Sequence, residues 1–142
     1  MSTKQILIIS TLDTKGVETF YLKEKIESLG FSTILMDLSM RANVKMTAEI
    51  TNAHVAGAGG SSIEEIGQSR ERTKITKIMT SGASRLARQY YNEGNIDGVI
   101  AMGGSTGTLM ASEVMRSLPF GVPKTVISST AALPGLSTRY IG

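Results

Sequence analysis

Cysteine is absent from the 142-residue sequence, and there is one histidine, His54. The lack of cysteine excludes disulfide bonds, thiolate metal sites, iron–sulfur clusters and a cysteine nucleophile. A single histidine also excludes a metal site built from several histidines of one chain. We interpret His54 as a structural or surface residue, because no serine–histidine–aspartate or paired-carboxylate set can be assembled.

Aromatic residues and net charge are also scarce. There is no tryptophan, with four tyrosines and three phenylalanines, so a stacking platform for single-stranded nucleic acid is not expected. The net charge is +3 and the basic residues are scattered, so neither a nucleic-acid nor a membrane partner is predicted. No apolar run approaches the ~18 residues of a membrane span, and the N-terminal sequence lacks the pattern of a secretory signal. A cytoplasmic location is the expectation.

What the sequence does contain is short β-branched runs that alternate with helical patterns. The runs predict strands over 5–10, 33–38, 97–102 and 122–128. The apolar stripes predict helices over 17–29, 69–93 and about 106–118. Two overlapping capping-box patterns predict a further helix that starts near Ser61 and Ser62. Residues 39–60 have no clear assignment, although 53–60 are small and typical of a flexible connector. Gly82 predicts a kink or a closely packed neighbour in its helix.

This alternation predicts an α/β fold, a three-layer Rossmann-like domain with a parallel sheet and helices on both faces. Residues 1–142 form a single domain in this interpretation. The most economical strand order is 2-1-3-4, the flavodoxin type, in which the chain reverses direction between strands 1 and 3. Ligands of such sheets bind at the carboxyl ends of that strand pair. The segments that follow the two strands are Thr11–Gly16 and Gly103–Thr108.

The second of these segments is a glycine-rich link between a buried strand and an amphipathic helix. Glycines let backbone N–H groups approach an anion, and the helix N-terminus adds partial positive charge. The alternative is a tight turn whose glycines only permit close packing. Because of the position at the strand switch, we favour phosphate binding. The candidate residues are Gly103, Gly104, Ser105, Thr106, Gly107 and Thr108.

The first segment offers one cation and two polar side chains. Lys15 can neutralise a phosphate, and Thr14 can donate a hydrogen bond to a phosphate oxygen. Asp13 can orient a ribose hydroxyl, a water on Mg²⁺ or Lys15 itself. The alternative is that Asp13 or Thr14 simply caps the following helix. We predict no dedicated protein metal site.

Four other features are given structural interpretations. Ser128–Thr130 is interpreted as a turn at a strand end, and Gly57–Ser62 as a connector rather than a lid. Arg72 is explained by a solvated helix face. Glu18 shares a helical stripe with Leu22 and is interpreted as a structural acid.

Several segments together resemble one family, the tomato mosaic virus resistance protein-like ATP-binding domain proteins of plants, bacteria and fungi. The Asp-Thr-Lys motif at 13–15 and the Gly-Gly-Ser-x-Gly-Thr motif at 103–108 carry the resemblance. Further similar segments are Ile8–Glu18, Asp37, Gly60–Ile63, Arg72–Gly82, Gly94–Thr108, Leu118–Lys124, Ser128 and Tyr140–Gly142.

The resemblance implies the first half of a two-part ATP-binding region, so the chain is expected to be the N-terminal subdomain of a longer protein. It implies ATP, with Mg²⁺ as a companion, as the cofactor, and it implies a homo-oligomer. Thr11, Asp13, Thr14, Lys15 and the Gly103–Thr108 loop map onto the nucleotide-pocket segments of the family. Arg72 is a further residue that can reach the pocket.

Three functions remain open at this point. The first is a nucleotide-binding regulatory or interaction module without turnover, which the lack of a clear general base favours. The second is an enzyme, an ATPase or a hydrolase of a small phosphorylated or carboxylated metabolite, with Asp13 or Glu18 as the base. A dimerising scaffold with an empty crevice is a third reading.

Overall fold

The computed structural model of the chain describes residues 3–135. Within them, one parallel sheet has the strand order β2-β1-β3-β4. The elements in chain order are β1 (Gln5–Ser10), α1 (Leu12–Ser28), β2 (Ser32–Asp37), α2 (Asn52–Ala58), α3 (Ile63–Gln68), α4 (Arg72–Asn92), β3 (Gly98–Gly103), α5 (Ser105–Arg116) and β4 (Lys124–Ser128). The predicted α/β Rossmann-like fold and its strand order are confirmed.

The central strand β1 shows why these residues form this sheet. Leu7, Ile8 and Ile9 are all buried, because β1 pairs with β2 on one side and β3 on the other and has helices over both faces. Alternate side chains enter opposite layers. Leu7 and Ile9 join the larger core under α2, α4 and α5, whereas Ile8 joins a smaller core under α1.

The predicted start of the first helix at residue 17 is wrong. Helix α1 begins at Leu12, immediately after β1, so the Asp-Thr-Lys motif lies in its first turn and not in a loop. The regular backbone is interrupted at Lys15, which has φ −122° and ψ 19°. The amphipathic stripe becomes regular only beyond that break, which is why the helical pattern in the sequence starts late.

The assignment of residues 53–60 as a flexible connector is also wrong in part. Most of them belong to helix α2, whose N-terminus is capped by the Thr51 side chain, which accepts a hydrogen bond from the His54 N–H at 3.2 Å. Ser62 caps α3 as predicted, accepting from the Glu65 N–H at 3.2 Å. The remaining boundaries shift by no more than a few residues from those predicted.

The glycine in the middle of α4 is explained by a close neighbour rather than a kink. A Cβ placed on Gly82 would lie 2.0 Å from the Val55 carbonyl oxygen and 2.8 Å from the Gly59 nitrogen. Helix α2 therefore approaches α4 more closely than any larger residue at position 82 would permit.

No helix in the described part of the chain is long and apolar enough to cross a membrane. Residues 136–142, which include the similar segment Tyr140–Gly142, lie outside the described residues.

Candidate functional site

A cavity of about 360 Å³ lies at the carboxyl ends of β1 and β3. Four parts of the chain line it: the segment after β1, the segment after β2, the N-terminus of α4 and the first turns of α5. The lining residues are Thr11, Asp13, Thr14, Lys15, Leu38, Met40, Arg41, Arg72, Gly104, Ser105, Thr106, Gly107 and Met110. The two segments singled out in the sequence therefore meet at one cavity, although about 90 residues separate them.

Two of the predicted residues lie outside this lining. Gly103 is buried, and a Cβ on it would lie 2.9 Å from both the Gly107 carbonyl carbon and the Thr108 nitrogen. Close packing alone explains that glycine. Thr108 is buried as well, and its hydroxyl contacts the Ser128 hydroxyl at 2.7 Å and donates to the Gly103 carbonyl at 3.3 Å. Both residues pack inside the turn between β3 and α5, on the side away from the cavity.

Gly104 differs from Gly103, because packing does not require a glycine there. Its φ is −86°, and a Cβ on it would meet only the Ser129 Oγ, at 3.9 Å. Gly104 is the N-cap residue of α5, and no side chain among residues 3–135 caps the N-terminus of this helix. Cap residues normally satisfy the free N–H groups of a first turn with a side-chain oxygen. The first turn of α5 therefore keeps its hydrogen-bond donors for another acceptor.

The charge of the cavity is positive. Lys15, Arg41 and Arg72 line it against one carboxylate, that of Asp13. The Arg41 Nε lies 3.8 Å from the Asp13 Oδ2. Lys15 and Arg72 make no ion pair with any residue between 3 and 135. Two uncompensated cations and an uncapped helix N-terminus thus share one concave surface, an arrangement that attracts anions.

A buried carboxylate holds the first turn of α1 in place. Asp37, the last residue of β2, accepts hydrogen bonds on Oδ1 from the Leu12 N–H at 3.0 Å and the Ser39 N–H at 2.9 Å. The Ser39 hydroxyl donates to the same oxygen at 2.5 Å, and its oxygen accepts from the Asp13 N–H at 3.0 Å. Asp37 and Ser39 thus do the capping that the sequence assigned to Asp13 or Thr14.

Burial raises the pKa of Asp37 above its usual value. The hydrogen bonds from Ser39 and Leu12 oppose this rise by stabilising the charged form, and the nearby negative charge of Asp13 adds to it. Desolvation is the largest of these effects. The network therefore carries a carboxyl group that is costly to ionise, directly behind the cavity wall.

Further hydroxyls fix the break at Lys15. The Thr19 hydroxyl donates to the Lys15 carbonyl at 2.6 Å, and the Ser10 hydroxyl lies 2.7 Å from the Thr19 Oγ1. The Thr11 and Thr14 hydroxyls contact each other at 2.9 Å. The backbone around Lys15 is therefore held from β1 and from the second turn of α1, while its ammonium group remains at the cavity.

Among the remaining features, the interpretation of Ser128–Thr130 as a turn at a strand end is confirmed. The Ser128 Oγ accepts from the N–H groups of Thr130 at 3.1 Å and Ala131 at 3.2 Å, which is a turn at a strand end. Glu18 and His54 are exposed and do not line the cavity. Among residues 3–135 there is no group of three or more acidic, histidine or cysteine residues that could hold a metal ion.

Sequence reasoning missed the residues that β2 contributes. Arg41 and Met40 line the cavity, and Asp37 and Ser39 support it. The signal was available, since the strand order 2-1-3-4 places the end of strand 2 beside the end of strand 1. Arg72 reaches the cavity from the N-terminus of α4, and the solvated-face interpretation alone does not account for it.

Comparison with known proteins gives a family match over almost the whole chain. A family model described as the N-terminal domain of the uncharacterised protein family UPF0261 matches residues 4–142. A UPF0261 protein of Clostridium tetani is 37% identical over 139 residues, which cover 98% of this chain and 34% of the relative.

Two further relatives extend the comparison. A UPF0261 protein of Brucella suis is 35% identical over 130 residues, or 92% of this chain and 31% of the relative. A ToMV susceptible protein tm-1 of Solanum lycopersicum is 39% identical over 71 residues, or 50% of this chain and 9% of the relative. The chain thus spans about a third of the length of the curated bacterial relatives that it matches.

Proposed function

We propose that this chain, which belongs to the UPF0261 N-terminal domain family, binds a phosphate-bearing small molecule in the cavity between β1 and β3, with ATP as the first candidate. One observation carries the proposal: Lys15 and Arg72, without ion-pair partners in the described chain, line the same cavity as the uncapped N-terminus of α5. Backbone N–H groups at Ser105 and Thr106 would cradle phosphate oxygens, and the two cations would balance their charge.

The choice of ATP over other phosphates comes from the resemblance to the ATP-binding domain family. The match to the tomato protein supports that resemblance over half of the chain. Asp13 is the single carboxylate that the described residues contribute to the cavity lining, which suits an Mg²⁺ ion that arrives on the nucleotide. Such an ion is bound mainly by phosphates and water, with one or two protein carboxylates.

The proposed role is regulatory or in an interaction, without turnover. Asp13 is close to Arg41 and to Ser39, and no histidine or glutamate between residues 3 and 135 lines the cavity, so this lining supplies no obvious general base. The proposal includes a homo-oligomer. It is supported by β4, which pairs with β3 on one edge and exposes Val126, and Val126 lines a shallow pocket together with the exposed ring of Phe120.

Calorimetric titration of the chain with ATP and Mg²⁺ tests the binding. Lys15→Gln and Arg72→Gln should each weaken ATP binding about tenfold or more, because a charge-assisted hydrogen bond contributes ~1.5–3 kcal/mol. Lys74→Gln is the matched control on the same helix as Arg72, since Lys74 is exposed and does not line the cavity. Absence of binding heat for the unmodified chain, or equal losses in the control, would refute the proposal.

Sedimentation of the chain at several concentrations tests the oligomer. Phe120→Ser should shift the distribution toward monomer if the β4 face joins two copies. A monomer at all concentrations would remove this part of the proposal and leave the binding part intact.

A further inference from the structure

A groove of about 530 Å³ runs between α4 and α5, next to the cavity described above. Arg72 and Thr106 line both of them, so the two spaces adjoin at these residues. A ligand whose phosphate lies at the N-terminus of α5 can therefore extend its remaining part along α4. The groove is larger than the cavity, and the proposed phosphate site does not make use of it.

Several hydroxyl groups line the groove, and three of them have no hydrogen-bond partner among residues 3–135. Serine and threonine inside a helix commonly donate to the carbonyl four residues earlier. Thr80 does so, to the Thr76 oxygen at 2.7 Å. The side-chain hydroxyls of Thr73, Ser81 and Ser84 make no hydrogen bond with any other described residue.

The lining combines these hydroxyls with three charged side chains, those of Arg72, Lys77 and Glu113. Thr73 and Ser81 are exposed, so their hydroxyls are accessible to a ligand from solvent. The hydroxyls are collected where α4 faces α5 across a concave surface. Within residues 3–135, no aromatic residue lines the groove or the cavity, so this part of the chain offers no stacking surface for a nucleobase there. Hydroxyls without partners match a ligand part that is itself rich in hydroxyls.

We infer that the α4–α5 groove binds the sugar of the phosphorylated ligand, a pentose or hexose whose hydroxyls pair with Ser81, Ser84 and Thr73. This inference rests on the proposed function, because the phosphate fixes the end of the ligand at Arg72 and Thr106. The sugar can belong to a nucleotide or to a free sugar phosphate, and the test below separates these two sources.

The test titrates the chain with three probes: ATP, ribose 5-phosphate and inorganic tripolyphosphate. The double variant Ser81→Ala/Ser84→Ala removes two groove hydroxyls with a residue that favours helix. Ser28→Ala, at the end of α1 and outside both spaces, is the matched control. Circular dichroism melts confirm that each variant folds as the unmodified chain does.

The double variant should bind ATP about tenfold more weakly, because two neutral hydrogen bonds are lost, and should bind tripolyphosphate as the unmodified chain does. If the double variant loses as much affinity for ribose 5-phosphate as for ATP, the groove binds free sugar phosphates as well. If the unmodified chain does not bind ribose 5-phosphate, and the double variant still binds ATP more weakly, the groove is specific for nucleotides. Unchanged ATP affinity in the double variant, or an equal loss for tripolyphosphate, overturns the inference.

The outcomes also separate this inference from the proposed function. If tripolyphosphate and ATP bind and Lys15→Gln weakens both, while the groove variant changes neither, only the sugar subsite is wrong. If none of the three probes binds the unmodified chain, the proposed phosphate site fails and the subsite fails with it.

Discussion

The carboxylate of Asp37 accepts a hydrogen bond from the backbone N–H of Leu12 at 3.0 Å, and this contact joins the end of β2 to the first turn of α1. The two residues are 25 positions apart in the sequence. Through Ser39, the same carboxylate fixes the backbone of Asp13. The start of α1, and with it the position of the Asp-Thr-Lys motif, therefore depends on a residue of another strand.

The first prediction concerns the side chain of Asp37. Asp37→Ala should lower the free energy of unfolding by about 1–3 kcal/mol, because the buried N–H of Leu12 loses its acceptor. Asp37→Asn should be much milder, since its amide oxygen can accept the same three hydrogen bonds without a buried charge. Chemical denaturation at pH 7 measures both. Equal destabilisation by the two variants would show that the charge, rather than the acceptor, holds the turn.

The same carboxyl group predicts a pH dependence. The pKa of Asp37 is higher in the folded chain than its ordinary 3.8. Between the ordinary and the raised pKa, the folded state therefore binds more protons than the unfolded state. The contribution of Asp37 to stability therefore falls as pH rises through that window. The stability of Asp37→Asn relative to the unmodified chain should accordingly increase from pH 4 to pH 7. A difference that stays constant or decreases would contradict the raised pKa.

An acidic substitution at Gly104 is predicted to stabilise the fold and to weaken ATP binding. Gly104→Asp adds a capping oxygen and a favourable charge at the N-terminus of α5, so it should stabilise the fold by about 0.5–1 kcal/mol. It should weaken ATP binding at least tenfold, because the new carboxylate takes the N–H groups and repels phosphate. Gly104→Ala is the control, since a Cβ there makes no close contact. Full ATP affinity in Gly104→Asp would place the phosphate elsewhere.

The contact between α2 and α4 predicts a sharp contrast between two glycines. Gly82→Ala should destabilise the chain by about 1–3 kcal/mol or more, because its Cβ would overlap the backbone of Val55 and Gly59. Gly57→Ala, within α2 and with open space around the new Cβ, should be neutral or stabilising by up to ~1 kcal/mol. Thermal melts compare the two. Similar melting temperatures would mean that α2 can move away from α4 without cost.

The last prediction concerns turnover. We expect the chain to release phosphate from ATP no faster than the buffer does, and Asp13→Asn to change nothing in that assay. The physical reason is that Asp13 is paired with Arg41 and that no other acid or histidine of the described residues lines the cavity. Phosphate release that disappears in Asp13→Asn would make the chain an ATPase, with Asp13 as its base.

Much of the fold could be read from local patterns. The runs at Leu7–Ile9 and Val99–Ala101 had to be buried on both faces, which fixed a parallel sheet and its layers. The glycine-rich segment after strand 3 marked the edge where a ligand could bind. The late start assigned to α1 has a physical cause, because its first turn is stabilised by Asp37 and Ser39 and shows no helical pattern of its own.

By itself, the sequence determined the α/β class, the strand order and the two segments that meet at the sheet edge, because burial periodicity and crossover handedness are local or topological constraints. Tertiary structure alone decided that packing requires a glycine at Gly103 and does not require one at Gly104. It also decided that Arg41 and Arg72 line one cavity together with Lys15. It also decided that hydroxyls of α4 face α5 without hydrogen-bond partners in the part of the chain that the structure describes. These features depend on distances between elements, and the spacing of residues along a chain does not set such distances.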